Sequence, residues 1–166
     1  MAANLDTDHP GVRRVVEALA AAGLPGANDV RVLDDDVRTA AQAAAALGVE
    51  VGAIANSLLF EADSEPLLAL TSGAHRADTG LLAALAGARH VGRADPAFVR
   101  VHTGQPIGGV APVGHPRPIR TFVDAALRIH PVVWAAGGHP KAVFPTNFEE
   151  LVALTGGTAA ELAARS

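Results

Sequence analysis

Val12, Val15, Val16 and Leu19 recur at three- and four-residue spacing, which predicts a first helix over about 8–22. Asp8 is placed to cap it, Pro10 suits its first turn, and Gly23 stops it. A short apolar run at 30–33 predicts a strand. Thr39, followed three residues later by Gln42, is a capping-box pattern, so a second, alanine-rich helix opens there and closes at Gly48. Residues 53–60 and 67–70 are dense in apolar side chains and are separated by Asp63-Ser64-Glu65-Pro66, which predicts two strands joined by a polar turn. Asp78 and Asp95-Pro96 each begin a short helix, ended by Gly87 and Gly104. Strands are expected at 119–123, 132–136 and 142–144, with a helical turn at 124–128. A last helix opens at Thr146, with Glu149 completing a capping box, and runs to Leu154 before Gly156-Gly157. The tail at 158–166 reads as one more short helix or a frayed end. This irregular mixture predicts an α/β protein of the mixed α+β kind: one domain over 1–166, with a mixed β-sheet flanked by helices.

Composition narrows the picture. The chain has 166 residues, of which 49% are hydrophobic and 18% charged, as expected of a folded globular protein. Much of the apolar share is alanine, which favours helix but gives little core volume. With five Phe, one Trp and no Tyr, stacking on nucleobases has few platforms. The absence of cysteine removes disulfides, thiolate catalysis and zinc–thiolate sites, and agrees with a reducing, cytoplasmic setting. No secretory signal or membrane-length apolar run is visible. The net charge of −4 argues against tight nonspecific nucleic-acid binding. Its distribution is uneven: between 97 and 148, Arg100, Arg117, Arg120, Arg128 and Lys141 face Asp124 alone. A solvated face is the bland reading; the asymmetry also permits an anionic ligand to meet the C-terminal half.

The densest candidate chemistry lies in Gly108-Gly109-Val110-Ala111-Pro112-Val113-Gly114. Glycines let main chain approach a ligand closely, and prolines hold the path rigid. Successive amides in such a loop are suited to a carbonyl oxygen that gains negative charge. The bland alternative is a tight turn between strands. The loop lacks the Gly-Lys-Ser/Thr ending of a phosphate-binding P-loop. The seven histidines show no metal-ligand spacing, and no metal or cofactor is expected. Ser57 lacks the Gly-x-Ser-x-Gly elbow of a nucleophile.

This glycine loop resembles the Gly-Gly-x-x-Pro-x-Gly loop of the YbaK/aminoacyl-tRNA synthetase-associated family, the prolyl-tRNA synthetase editing-like domains. Other segments match in the same order: 39–48 is similar to the family's early helix ending in Leu-Gly, and 54–60 resembles its central strand. Ala135-Ala136-Gly137-Gly138 and 148–156 resemble its closing strand and helix. The likeness spans about residues 10–157. It implies an editing-domain fold with a curved mixed sheet, and hydrolysis of the ester joining a small mischarged amino acid to the tRNA 3′ end. It also implies a freestanding, trans-editing deacylase, with the tRNA 3′ end and prolyl-tRNA synthetase as partners. Gly108, Gly109, Val110 and Ala111 would hold the scissile carbonyl, with Asn56 as the catalytic side chain of the central strand. Ser57, Pro112, Gly114, Gly137, Gly138, His139 and Lys141 would contact the substrate. One departure stands out. The family's central strand usually carries a lysine where this sequence has Asn56, which hydrogen-bonds but brings no charge. Lys141, the only lysine, or a nearby arginine is the hypothetical substitute. The alternative is a non-catalytic protein of the same fold that binds aminoacyl-tRNA or a synthetase; a third reading keeps hydrolysis but moves it to another small acyl ester.

Overall fold

A computed structural model describes residues 9–106 and 110–163. Among these residues, five α-helices surround an eight-stranded mixed sheet. Helix α1 (Pro10–Ala21) is followed by strand β1 (Arg31–Val32), α2 (Ala40–Leu47), β2 (Ile54–Ala62) and β3 (Glu65–Ser72). Then come α3 (Thr79–Ala86), β4 (Val91–Arg93), α4 (Pro96–Thr103) and β5 (Arg120–Asp124). The chain closes with β6 (Val133–Ala136), β7 (Ala142–Thr146), α5 (Phe148–Thr155) and β8 (Thr158–Ala160). The sheet order is β1-β7-β6-β2-β3-β5-β8, with β4 added to β2.

β2 and β3 form the spine, an antiparallel hairpin paired from Ala55↔Ser72 to Ala62↔Glu65. Its turn is two residues long: Asp63 and Ser64 both have positive φ, the conformation whose twist matches that of the flanking strands. Pro66 therefore lies in β3, opposite Glu61, rather than in the turn. The Asp63 carboxylate accepts the N–H groups of Arg89 and His90, each at 2.9 Å, which holds its carboxyl below the usual carboxylate range and ties down the start of β4. Alternation divides the core. One sheet face packs Leu59, Leu68 and Leu70 against Val15 and Leu19 of α1, Val99 of α4 and Leu151 of α5. The other covers Ile54 and Trp134 with α2, and Leu67 and Ala69 with Leu82 of α3. Each fully buried leucine contributes roughly 1.5–3 kcal/mol.

The anticipated elements are present, with informative shifts. The capping box of α2 is complete: Thr39 and Gln42 satisfy each other's main-chain N–H groups, and Gly48 ends the helix with positive φ. Asp8 lies outside the described residues, and the cap of α1 is His9, whose Nδ1 accepts the Gly11 N–H at 3.1 Å. The last helix is capped by Asn147 rather than Thr146, because Asn147 accepts the Glu150 N–H while Thr146 ends β7. The tail is neither helix nor frayed at 158–160. Pairing of Phe122, Val123 and Asp124 with Thr158, Ala159 and Ala160 overrides the helical preference of that stretch. Strand β4, three residues long, was not anticipated.

Candidate functional site

Strand β2 has a continuous partner on one side and an interrupted one on the other. Its outer edge pairs in parallel with β6 at Ile54↔Trp134 and Ala55↔Ala135, and antiparallel with β4 from Phe60↔Arg93 to Ala62↔Val91. Between these, residues 56–59 have no strand partner on that edge among the described residues. A cavity of about 450 Å³ opens at this gap.

Because successive side chains alternate, the gap exposes both faces of β2 to the cavity. Asn56 lies on the face of Ile54 and Trp134, with Ala43 of α2 beyond, while Ser57 lies on the face of Val99 and Val110. The Asn56 carboxamide makes no hydrogen bond to another described residue, and it lies opposite Thr71, whose buried hydroxyl also has no partner among the described residues. The Ser57 Oγ is likewise buried and unpartnered there. Arg38 and Lys141 supply the charge of the lining, which holds no carboxylate or imidazole among its described residues.

Lys141 is committed to structure. Its Nζ donates to the main-chain carbonyls of Asp35, at 3.0 Å, and Val37. The ammonium thereby pins the segment before α2, from which Leu33, Val37 and Arg38 form the cavity wall.

The predicted site residues divide into groups. Asn56, Ser57, Val110 and Lys141 line this one cavity. Gly108 and Gly109 lie outside the described residues. Ala111 is fully buried and its N–H donates to the Gln105 Oε1 at 2.7 Å, so that amide is engaged within the protein. Gln105, also fully buried, donates through its Nε2 to the Val113 carbonyl at 3.3 Å, bracing the loop from within. Pro112 and Gly114 line a second depression with His115, whose ring N–H donates to the Ala111 carbonyl at 2.7 Å. Burial pushes the His115 pKa down, opposed by that bond.

Gly137 and Gly138 do not line the cavity. Gly138 has φ +94°, and a Cβ there would stand 2.3 Å from the Gly11 carbonyl oxygen, so its smallness lets α1 approach the β6–β7 connection. His139 is also outside the lining; its Nδ1 accepts the Lys141 N–H at 3.1 Å, and its ring meets His9 edge-on. Trp134 and Arg38, which do line the cavity, were missed. Trp134 is 6% exposed, with the Arg31 guanidinium 4.8 Å from its ring centre. A lone tryptophan in an apolar strand gives no sequence signal separating wall from core.

The model of the aminoacyl-tRNA editing domain family matches residues 34–154. The chain belongs to that family. The matched stretch contains every residue of the cavity lining except Leu33. A proline–tRNA ligase of Nitratidesulfovibrio vulgaris Hildenborough is 34% identical over 122 residues, 74% of this chain and 20% of the ligase. The chain thus spans about one-fifth of the length of that relative. A crystal structure of a proposed trans-editing enzyme for prolyl-tRNA synthetase matches with TM-score 0.86 and 42% identity, covering 94% of this chain and 98% of that one. A scaffold used for computational epitope grafting matches with TM-score 0.88 and 40% identity, covering 95% and 99%. Family membership relates the chain to aminoacyl-tRNA editing and to prolyl-tRNA synthetase. No helix among the described residues is long and apolar enough to cross a membrane.

Proposed function

We propose that the chain is a trans-editing deacylase that hydrolyses the ester between a small mischarged amino acid and the tRNA 3′ end. The observation that carries this is the convergence of Asn56, Ser57 and Val110 on one largely apolar cavity at the break in the sheet. Its volume lies in the range of small-ligand sites and suits an aminoacyl group with part of its ribose. Ala43, Ile54, Val99 and Trp134 supply apolar walls that sieve the side chain, and Arg38 supplies a cation for the phosphate backbone.

The chemistry asks little of the protein, because an aminoacyl ester is already reactive. Water adds to the ester carbonyl, the bond to the ribose oxygen breaks, and a proton ends on that oxygen. With no carboxylate or imidazole in the described lining, the contribution lies in positioning and in neutral hydrogen-bond donors rather than a resident base. Asn56 is suited to donate to the carbonyl oxygen, and one donor of this kind supplies roughly 3 kcal/mol in known oxyanion holes. Deacylation measured over tRNAs charged with Ala, Cys, Ser, Thr and Pro tests the reading. Acceleration on at least one, falling about a hundredfold in Asn56→Ala, is expected. No acceleration over buffer on any of them overturns it.

The same observations favour a second reading, a non-catalytic binder of aminoacyl-tRNA or of a synthetase. Asn56 stands where the family usually has lysine, and the Lys141 ammonium is held by main-chain carbonyls. Tight binding of a charged tRNA without turnover selects that reading.

A further inference from the structure

We propose that the open edge of β2 reads the α-amino group of the ligand through main chain, with Ser57 as the pairing residue. This rests on the aminoacyl-ester reading and deepens it, by assigning the recognition that separates an aminoacyl ester from any other small acyl ester.

In an antiparallel pair, alternate residues direct both N–H and C=O to one neighbour, and those between direct both to the other. Two hydrogen bonds fix the phase of β2. The Gly73 N–H donates to the Ile54 carbonyl at 2.7 Å, one step beyond the Ala55↔Ser72 pair. Ile54, and in step Asn56, Leu58 and Phe60, therefore spend their main-chain groups on β3. At the far end the Asp63 N–H donates to the His90 carbonyl at 3.0 Å, in step with Glu61↔Gly92. The odd-numbered residues thus face the other edge. Ala55 meets β6 and Glu61 meets β4. Ser57 falls between them, so it offers one N–H and one C=O at the cavity, with no strand partner among the described residues. The unpartnered, buried Ser57 Oγ adds a third polar group at the same place.

Main-chain groups that the sheet leaves free bond to whatever occupies the cavity, so this ledge suits a ligand with a matching donor and acceptor. An extended α-amino acyl group carries both on one side, as a strand residue does. Opposite Ser57, its ammonium donates to the Ser57 carbonyl and its ester carbonyl accepts from the Ser57 N–H. The second bond strengthens as the carbonyl oxygen gains charge, so it serves hydrolysis as well as binding. A plain acyl group satisfies the N–H and leaves the Ser57 carbonyl desolvated and unpaired.

The probe is 3′-(alanylamino)-3′-deoxyadenosine, an amide that is not turned over, compared with its propionyl counterpart, which lacks the amino group. Amide chemical shifts are followed by NMR in titrations of the full chain. The alanyl compound is expected to shift the Ser57 amide strongly and to bind about ten- to a hundredfold more tightly. Equal affinities, or shifts that leave Ser57 unmoved, overturn the inference. Deacylation of charged tRNA is measured separately, so a protein that deacylates but ignores the amino group fails this inference alone. Ser57→Pro removes an N–H that the sheet does not use, and edge positions of this kind tolerate proline. The variant is expected to keep the dispersed spectrum of the fold and to bind both compounds about tenfold more weakly, since both use the Ser57 N–H; a folded variant that binds the alanyl compound as tightly as the wild type overturns the proposal. Should Ser57→Pro not fold, the wild-type titration decides.

Discussion

The two edges of strand β2 behave differently although the same nine residues make both. Toward β3 every residue from Ala55 to Ala62 has a partner, and the hairpin carries the core leucines of both faces. Toward β6 and β4 the pairing lapses in the middle, and there the cavity lies. One edge serves stability and the other is left to a ligand. The proposed site thus rests on an interruption of hydrogen bonding, with main chain supplementing its few polar side chains.

The largest expected effect breaks the paired edge. Leu58 is in register with Ala69, and its main-chain groups face β3. Leu58→Pro removes that N–H and orphans a buried carbonyl, at about 1–3 kcal/mol for the carbonyl alone. Chemical denaturation should show this variant far less stable than Ser57→Pro, one residue away; equal losses would contradict the assignment of the two edges.

Next is Gly138, expected from the sequence at the substrate and packed here against α1. Gly138→Ala meets both a positive φ and the Gly11 carbonyl, and should lower stability by about 2–4 kcal/mol. A loss of ligand binding with an unchanged melting temperature would return Gly138 to the site.

The smallest effect concerns the second depression. The pKa of His115 is lowered by burial, so the unfolded chain binds more protons there than the folded one. Its contribution is present above the unfolded pKa, near 6.5, and is lost as pH falls below that value toward the folded pKa. Melting temperature should therefore decline as pH drops from about 7 to 5, and His115→Gln should flatten that decline. An unchanged slope would show that His115 is not its source.

Much of this was legible in sequence because it is local. The Thr39–Gln42 box, the Asp78 and Asp95 caps and the apolar runs of β2 and β3 encode their elements over a few residues. Strands β4 and β8 were not legible, since three residues become a strand only when a distant partner is already in place. The site followed the same rule. Asn56 and Ser57 were marked by the resemblance of their strand to the family's central strand, whereas Trp134 and Arg38 belong to the cavity only through tertiary placement. The structural role of Gly138 was not legible, because a glycine that admits a ligand and one that admits a helix look alike in sequence. The Ala111 amide was assigned to a substrate carbonyl, but the side chain of Gln105, six positions earlier, occupies it.

The parallel pairing of Ile54 and Ala55 with Trp134 and Ala135 also bears on the order of assembly. The β2–β3 hairpin closes locally and early, but β6 arrives only after most of the chain has been placed, and such distant closures come at a high cost in chain entropy. Until β6 docks, the outer edge of β2 is bare along its first residues and the recess has no far wall. Occupancy by a ligand would therefore stabilise the last step of folding, so binding should protect the contact between the two halves of the chain more than it protects the hairpin.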